Sequence, residues 1–292
     1  MNNSSWTILQ MHEHQLLQSI YDSSTTLQGV SIGPGDDMGE VVIGNEKVLF
    51  AVDQLVVGRH VTPNTKPSHI GRKAVARCFS DIAAMCATPV GCLMTACVPG
   101  DATNEWCQEI FEGAKLVAQE WGGPLFGGDI AQSEGPAVFS ISAIATPPEN
   151  GAVLRSGAQE HDYLCVTGEL GNANASHHLA FTPRIHEAQE LLATLGSDLH
   201  SMIDISDGLG RDASHLANKG IKIIIDTTLL PLRAGATVES ALSDGEDYEL
   251  LFTSSTVPPT HLATVIGKVQ IGNNTVVTQS GVDISNCGWN HA

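Results

Sequence analysis

Five short acidic strings hold the residues best suited to chemistry: GPGDD ending at Asp37, FSDIAAM around Asp81, FGGD ending at Asp129, IDISDGLGRD from Ile203, and DGEDYELLF from Asp244. A carboxylate beside glycine is ordinarily a turn residue. Here the aspartates follow glycines or sit inside apolar runs, where an unpaired charge is costly to desolvate. Carboxylate oxygens are the hard ligands that Mg²⁺ takes, and phosphate oxygens can complete its octahedron. The strings read as a multi-metal phosphate site that converges only if the fold brings strand ends together, an arrangement suited to Mg²⁺ ions clamping a triphosphate.

Other phosphate and nucleophile scaffolds are excluded by their missing signatures. No GxxxxGK[ST] string occurs, Gly33, Gly35 and Gly39 have the wrong spacing for a dinucleotide fingerprint, and there is no GxSxG elbow. A formal charge of −18 argues against nucleic acid or an anionic membrane as partner. The seven cysteines form no CxxC pair, so neither a disulfide framework nor a zinc knuckle is expected. Histidines at 12, 14, 177 and 178 lack the spacing of a zinc-protease helix. No long apolar stretch and no signal-peptide pattern at the start lead to a cytoplasmic expectation.

These side chains need elements to position them. VVIGNEKVLFAV reads as two strands around a Gly-Asn turn, which puts Asp53 at the exit of the second. Pro67 opens a helix whose apolar stripe runs Ile70, Ala74, Cys78 and Met85, with Asp81 on the same face. That charge is either capped by neighbouring hydroxyls or points into a metal site. Thr103 caps a second helix carrying Trp106, Ile110, Ala114, Val117 and Trp121. PLFGGD reads as a short buried strand delivering Asp129, and PAVFSISAIAT as an alternating strand. PPENG interrupts helix and ladder alike, so two domains are expected, residues 1–148 and 149–292. In the second, helical segments run from about Asn174 to Leu195, and IDISDGLGRD is a strand entering a helix with Asp204, Ser206 and Asp207 at the junction. GEDYELLF presents Glu246 and Asp247, ligand candidates or a solvated turn, ahead of another strand, and the tail is β-rich.

GPGDD, AVDQLVVGRH, KAVARCFSDIAAM, LFGGD, LRSGA, IDISDGLGRD and SDGEDYELLF occur in the order seen in thiamine-monophosphate kinases, and the resemblance spans nearly the whole chain. It extends to the wider group similar to aminoimidazole ribonucleotide synthetase. That resemblance implies an α/β (α+β) two-domain fold, with N-terminal sheets of two subunits pairing into a dimeric β-barrel and a C-terminal α/β domain completing the site. It implies Asp37, Asp53, Asp81, Asp129, Asp204 and Asp207 as Mg²⁺ ligands, all but Asp204 also counted as catalytic. Gly128, Asp129, Arg155 and Ser206 would contact ATP, and His60, Glu246 and Trp289 the substrate. The implied reaction passes the γ-phosphoryl group of ATP in line to thiamine monophosphate, without a protein-bound intermediate or a general base.

The resemblance has gaps around the phosphates. Ala51 and Val52 precede Asp53 where hydroxyl residues are common, and Ile130, Ala131 and Gln132 follow Asp129 where Thr-Thr-Arg is typical. Cys78 and Cys86 stand for asparagine and glycine, and the segment from Gly171 to Pro183 is shortened. Two other readings stay open: a divergent relative that phosphorylates another small molecule, or a non-catalytic nucleotide- and metal-binding module. His60 could be a strand-exit surface histidine, and Arg155 a plain inter-domain salt bridge.

Overall fold

The structure, a computed structural model, describes residues 28–289. Two six-stranded sheets order the chain. The first comprises β1 (Val30–Ile32), β2 (Gly39–Ile43), β3 (Glu46–Val56), β4 (Thr88–Pro99), β5 (Leu125–Ser133) and β6 (Val138–Thr146), in the order β1-β2-β3-β6-β4-β5. The second comprises β7 (Tyr163–Val166), β8 (Leu199–Asp204), β9 (Ile221–Ile225), β10 (Leu250–Ser254), β11 (Thr264–Ile271) and β12 (Thr275–Thr278), in the order β12-β9-β11-β7-β10-β8. Among the described strands only β4/β5 and β9/β12 pair in parallel. Among the described residues no helix is long and apolar enough to cross a membrane.

Strand alternation decides what each face of the first sheet does. Leu49, Leu55, Phe139, Ile141, Cys92, Met94 and Val98 turn inward and are buried. They are covered by α1 (Pro67–Ala84) and α2 (Asn104–Glu120). Pro67 occupies the first turn of α1, where a missing N–H costs nothing. Thr103 Oγ1 accepts the Trp106 N–H at 3.2 Å and caps α2. The Gly-Asn turn joins β2 to β3 as expected, with Gly44 at φ 65°.

The two helices touch through glycine. A Cβ on Gly71 would overlap the Ile110 carbonyl, and one on Gly113 would overlap the Ser68 carbonyl. Gly113→Ala should therefore force the helices apart at a cost of about 2–3 kcal/mol, measured as a lower denaturant midpoint. An unchanged midpoint would mean that this crossing contributes nothing to stability.

α1 packs on its other side against the second sheet and against α4 (Ile185–Leu195), so one apolar cluster runs from Phe139 and Ile141 through Cys78 and Phe79 to Leu191, Met202 and Phe252. A second cluster, built from Ile203, Ile223, Ile225, Leu251 and Ile266, lies under α5 (Leu209–Leu216).

Two expectations are corrected. β3 continues to Val56 because β6 pairs with it over that whole length, so Asp53 lies inside the strand rather than at its exit. β5 is exposed over most of its length, because it is the edge strand of its sheet. The helical segments expected from about Asn174 to Leu195 are present as α3 (His177–Ala180), which stops at Phe181, and α4, which begins after Pro183 because proline cannot donate to a helical ladder.

Candidate active site

α1 brings its charges to one face by simple helical spacing. Lys73, Arg77 and Asp81 follow one another at intervals of four residues, and each meets a carboxylate from elsewhere in the chain. Asp81 joins Asp37 and Asp204, whose ligand atoms all lie within 4.8 Å of one another. Asp37 comes from the GPGDD loop and Asp204 from the last residue of β8, so both sheets feed this cluster.

Two of the three carboxylates are held by specific partners. Arg155 Nη2 contacts Asp37 Oδ1 at 2.7 Å, and the Arg155 backbone N–H donates to Asp36 Oδ1 at 3.1 Å. The Ser80 hydroxyl donates to Asp204 Oδ2 at 2.6 Å rather than capping Asp81. Asp37 Oδ2 is buried with no hydrogen-bond partner among the described residues. Burial, reinforced by Asp204 and Asp37, pushes the Asp81 carboxyl well above the ordinary range. Burial and Asp37 raise Asp204 to about 7, and burial and Asp37 raise Asp36 to about 6. Three carboxylates converging with one oxygen orphaned form an oxygen donor set that fits a hard divalent cation.

Beside this cluster opens a cleft of about 270 Å³ lined by Asp53, Arg59, His60, Arg77, Asn174, Ser206, Asp207, Asp244, Glu246, Tyr248 and Trp289. The junction after β8 is shaped by Asp212, whose Oδ2 accepts the backbone N–H groups of Ser206, Asp207 and Gly208 at 2.9, 3.0 and 3.1 Å. Ser206 and Asp207 are thereby presented to the cleft. His60 Nδ1 accepts the Val56 N–H at 2.8 Å, which leaves the ring proton on Nε2. Glu246 holds the left-handed region at φ 61°, and its Oε2 lies 2.6 Å from Lys73 Nζ. Lys73, fully buried, also donates to the His60 carbonyl and to His178 Nδ1, each at 2.8 Å. The Trp289 N–H donates to the Asp207 carbonyl at 2.7 Å, and the Arg59 guanidinium sits 5.3 Å from the Trp289 ring centroid.

Not every residue singled out in the sequence reaches this cleft. Asp53 does, with both oxygens engaged by Arg77. Gly128 and Asp129 do not: they line a separate hollow with Phe111, Lys115, Leu125, Gly127 and Ile130. The register aligns Asp129 with Thr95, Ser140 and Gln54, so it faces away from Asp53 on the opposite side of the sheet. Asp247 is no solvated turn residue, being fully buried with its Oδ1 2.7 Å from Arg233 Nη1. Lys73, Arg77, Arg59 and Tyr248 went unread in the sequence. The signal for the first two was their four-residue phase with Asp81.

The two mixed sheets form an aminoimidazole ribonucleotide synthetase-like fold, and residues 35–146 match the family AIR synthase related protein, N-terminal domain. The chain is 32% identical over 290 residues to the thiamine-monophosphate kinase of Rhodopirellula baltica, covering 88% of this chain and 90% of that one. It is 31% identical over 256 residues to the thiamine-monophosphate kinase of Escherichia coli K12, covering 77% and 76%. The solved structure of AaThiL complexed with AMPPCP and TMP superposes with a TM-score of 0.85 at 27% identity, covering 96% of this chain and 97% of that one. The chain belongs to the thiamine-monophosphate kinase family.

Proposed function

We propose that this protein is an enzyme that transfers the γ-phosphoryl group of ATP to the phosphate of thiamine monophosphate, giving thiamine diphosphate and ADP. The observation that carries this reading is the Asp37, Asp81 and Asp204 cluster, drawn from a loop, a helix and a strand in both halves of the chain, beside a cleft with an aromatic wall. Mg²⁺ held by these three carboxylates would neutralise phosphate charge. Asp207, at the cleft, is a further metal-side carboxylate, and Ser206 a nucleotide contact.

The chain's own groups supply the positioning. Arg155, fixed by Asp37 and with part of its side chain open, is placed to add a phosphate contact. The N–H at His60 Nε2 serves the acceptor phosphate. Glu246 and the Trp289 ring, which also line the cleft, suit a cationic heteroaromatic acceptor such as thiamine. The acceptor phosphate is ionised at neutral pH, so the transfer needs orientation and charge stabilisation rather than a base.

We assign residues 1–148 and 149–292 to two domains, each built around one sheet, and take the protein to be a cytoplasmic homodimer. Its cysteines are all free thiols, which suits a reducing compartment. The outer face of the first sheet leaves Val52 72%, Phe126 60% and Phe50 39% exposed, an apolar surface that a second copy would cover. Gly128 and Asp129, remote from the cleft of their own chain, would then act in nucleotide and metal binding only within the dimer. Val52→Asp should yield a folded monomer by light scattering; a wild-type protein already monomeric at micromolar concentration counts against the dimer.

The function is tested by incubating the protein with ATP, Mg²⁺ and thiamine monophosphate, thiamine or no acceptor, and identifying products by mass. Thiamine diphosphate and ADP are expected with thiamine monophosphate alone. ADP release indifferent to the acceptor, or none at all, would reject the reading.

A further inference from the structure

The resemblance assigns Asp53 to Mg²⁺, yet a cation already occupies it. Arg77 Nε lies 2.9 Å from Asp53 Oδ2, Arg77 Nη2 donates to Oδ1 at 3.1 Å, and the Gln54 N–H donates to Oδ1 at 2.7 Å. The carboxylates that gather as a metal cluster are Asp37, Asp81 and Asp204, without Asp53. Ala51 and Val52, the residues before Asp53, bring no side-chain oxygen to help hold an ion there. A divalent ion and a guanidinium on the same carboxylate would repel each other at contact distance.

Arg77 is also rigidly held and incompletely used. Its side chain is only 12% exposed, and it stands one helical turn before Asp81 on α1, a helix clamped between the two sheets. Burial opposes its charge, but the carboxylates of Asp53, Glu246 and Asp81 around it outweigh burial and keep the guanidinium protonated. Nη1 is buried and has no hydrogen-bond partner among the described residues. Arg77 lines the cleft together with His60, Ser206 and Asp207. An unmet guanidinium donor in such a place is costly unless a ligand oxygen takes it, and the arginine fork matches phosphate geometry.

We propose that Arg77 is the resident cation of the Asp53 position: it neutralises that carboxylate in place of a divalent ion and offers Nη1 to a phosphate oxygen of the bound nucleotide or acceptor. The proposal rests on the reading of this cleft as a phosphate site. Part of the positive charge that the phosphates need is then carried covalently by α1, and the site takes up one ion fewer than a cluster including Asp53 would.

The test is to count Mn²⁺ bound per chain, by electron paramagnetic resonance, at saturating non-hydrolysable ATP analogue. Asp53→Asn should bind the same number as wild type. Arg77→Met, with Asp53 released, should bind about one more, and the double variant should return to the wild-type count. At limiting Mn²⁺, Arg77→Met should also weaken analogue binding about tenfold, the usual size of one charge-assisted hydrogen bond. Loss of an equivalent in Asp53→Asn, or no gain in Arg77→Met, overturns the proposal. Should Arg77→Met fail to fold, Asp53→Asn alone decides. A wild-type protein that binds no analogue sinks the phosphate-site reading and the proposal with it, whereas a metal lost from Asp53→Asn at intact analogue affinity overturns the proposal alone.

Discussion

Asp81→Asn should abolish turnover while raising the melting temperature of the metal-free protein. The two effects have opposite signs because one carboxylate serves two states. In the metal-free fold Asp81 is half-buried and surrounded by Asp204, Asp37 and Asp53, so its charge is a burden, and the isosteric amide removes it. In the working enzyme the same oxygen would hold a cation, and its loss should lower kcat by ~10³-fold, on the order of 4 kcal/mol of barrier.

The sign of the pH dependence follows from the same cluster. Asp81 is raised well above the ordinary carboxyl range, Asp204 to about 7 and Asp36 to about 6, so the fold binds more protons than the unfolded chain above the ordinary carboxylate pKa. Stability of the metal-free protein should then fall as pH rises from about 4 through 7. Asp247, raised to about 6 by burial, adds a slope of the same sign away from the site. The readout is therefore the difference between wild type and Asp81→Asn, which should be flatter, and the Mg²⁺-induced stabilisation, largest near pH 8 in wild type and absent in the variant. A lower melting temperature in metal-free Asp81→Asn, or an intact Mg²⁺ effect, would show that Asp81 is an ordinary core residue.

The legible part of this site was the part with an apolar frame. Asp81 interrupts a buried helical stripe and Asp204 ends a buried strand, so both announce a cost that needs an explanation. Lys73 and Arg77 share the phase of Asp81 but went unread, because a basic residue on a helix is ordinarily a solvated one. Their partners Glu246 and Asp53 lie in other strings, and nothing local in the sequence links them. PLFGGD reads as a buried strand because short apolar runs usually are, yet whether a strand is central or edge is settled by strand order, which no local pattern carries. The left-handed Glu246 and Tyr248 were equally illegible, since neither residue type prefers that conformation.

Lys73→Met should damage both stability and acceptor binding, and the pairing explains why the two go together. Lys73 joins three parts of the cleft: the His60 carbonyl after β3, Glu246 before β10, and His178 on α3. Burial and the Lys73 charge keep the His178 imidazole below its ordinary pKa, which suits its role as acceptor. Removing the ammonium leaves Glu246 unpaired, at a cost on the order of 3 kcal/mol. With Glu246 and the His60 loop no longer held, KM for thiamine monophosphate should rise about thirtyfold, roughly 2 kcal/mol of lost positioning, with a smaller change in kcat. Burial pulls Lys73 down to about 8, against the opposing pull of Glu246. The unfolded chain, with an ordinary lysine, then binds more protons than the fold between pH 8 and about 10.4, so this group makes wild type more stable as pH rises through that window. Over the same window the Lys73 charge is lost and KM should climb, a limb that Lys73→Met lacks. A variant with lowered stability but an unchanged KM and an unchanged alkaline limb would make Lys73 a structural residue only.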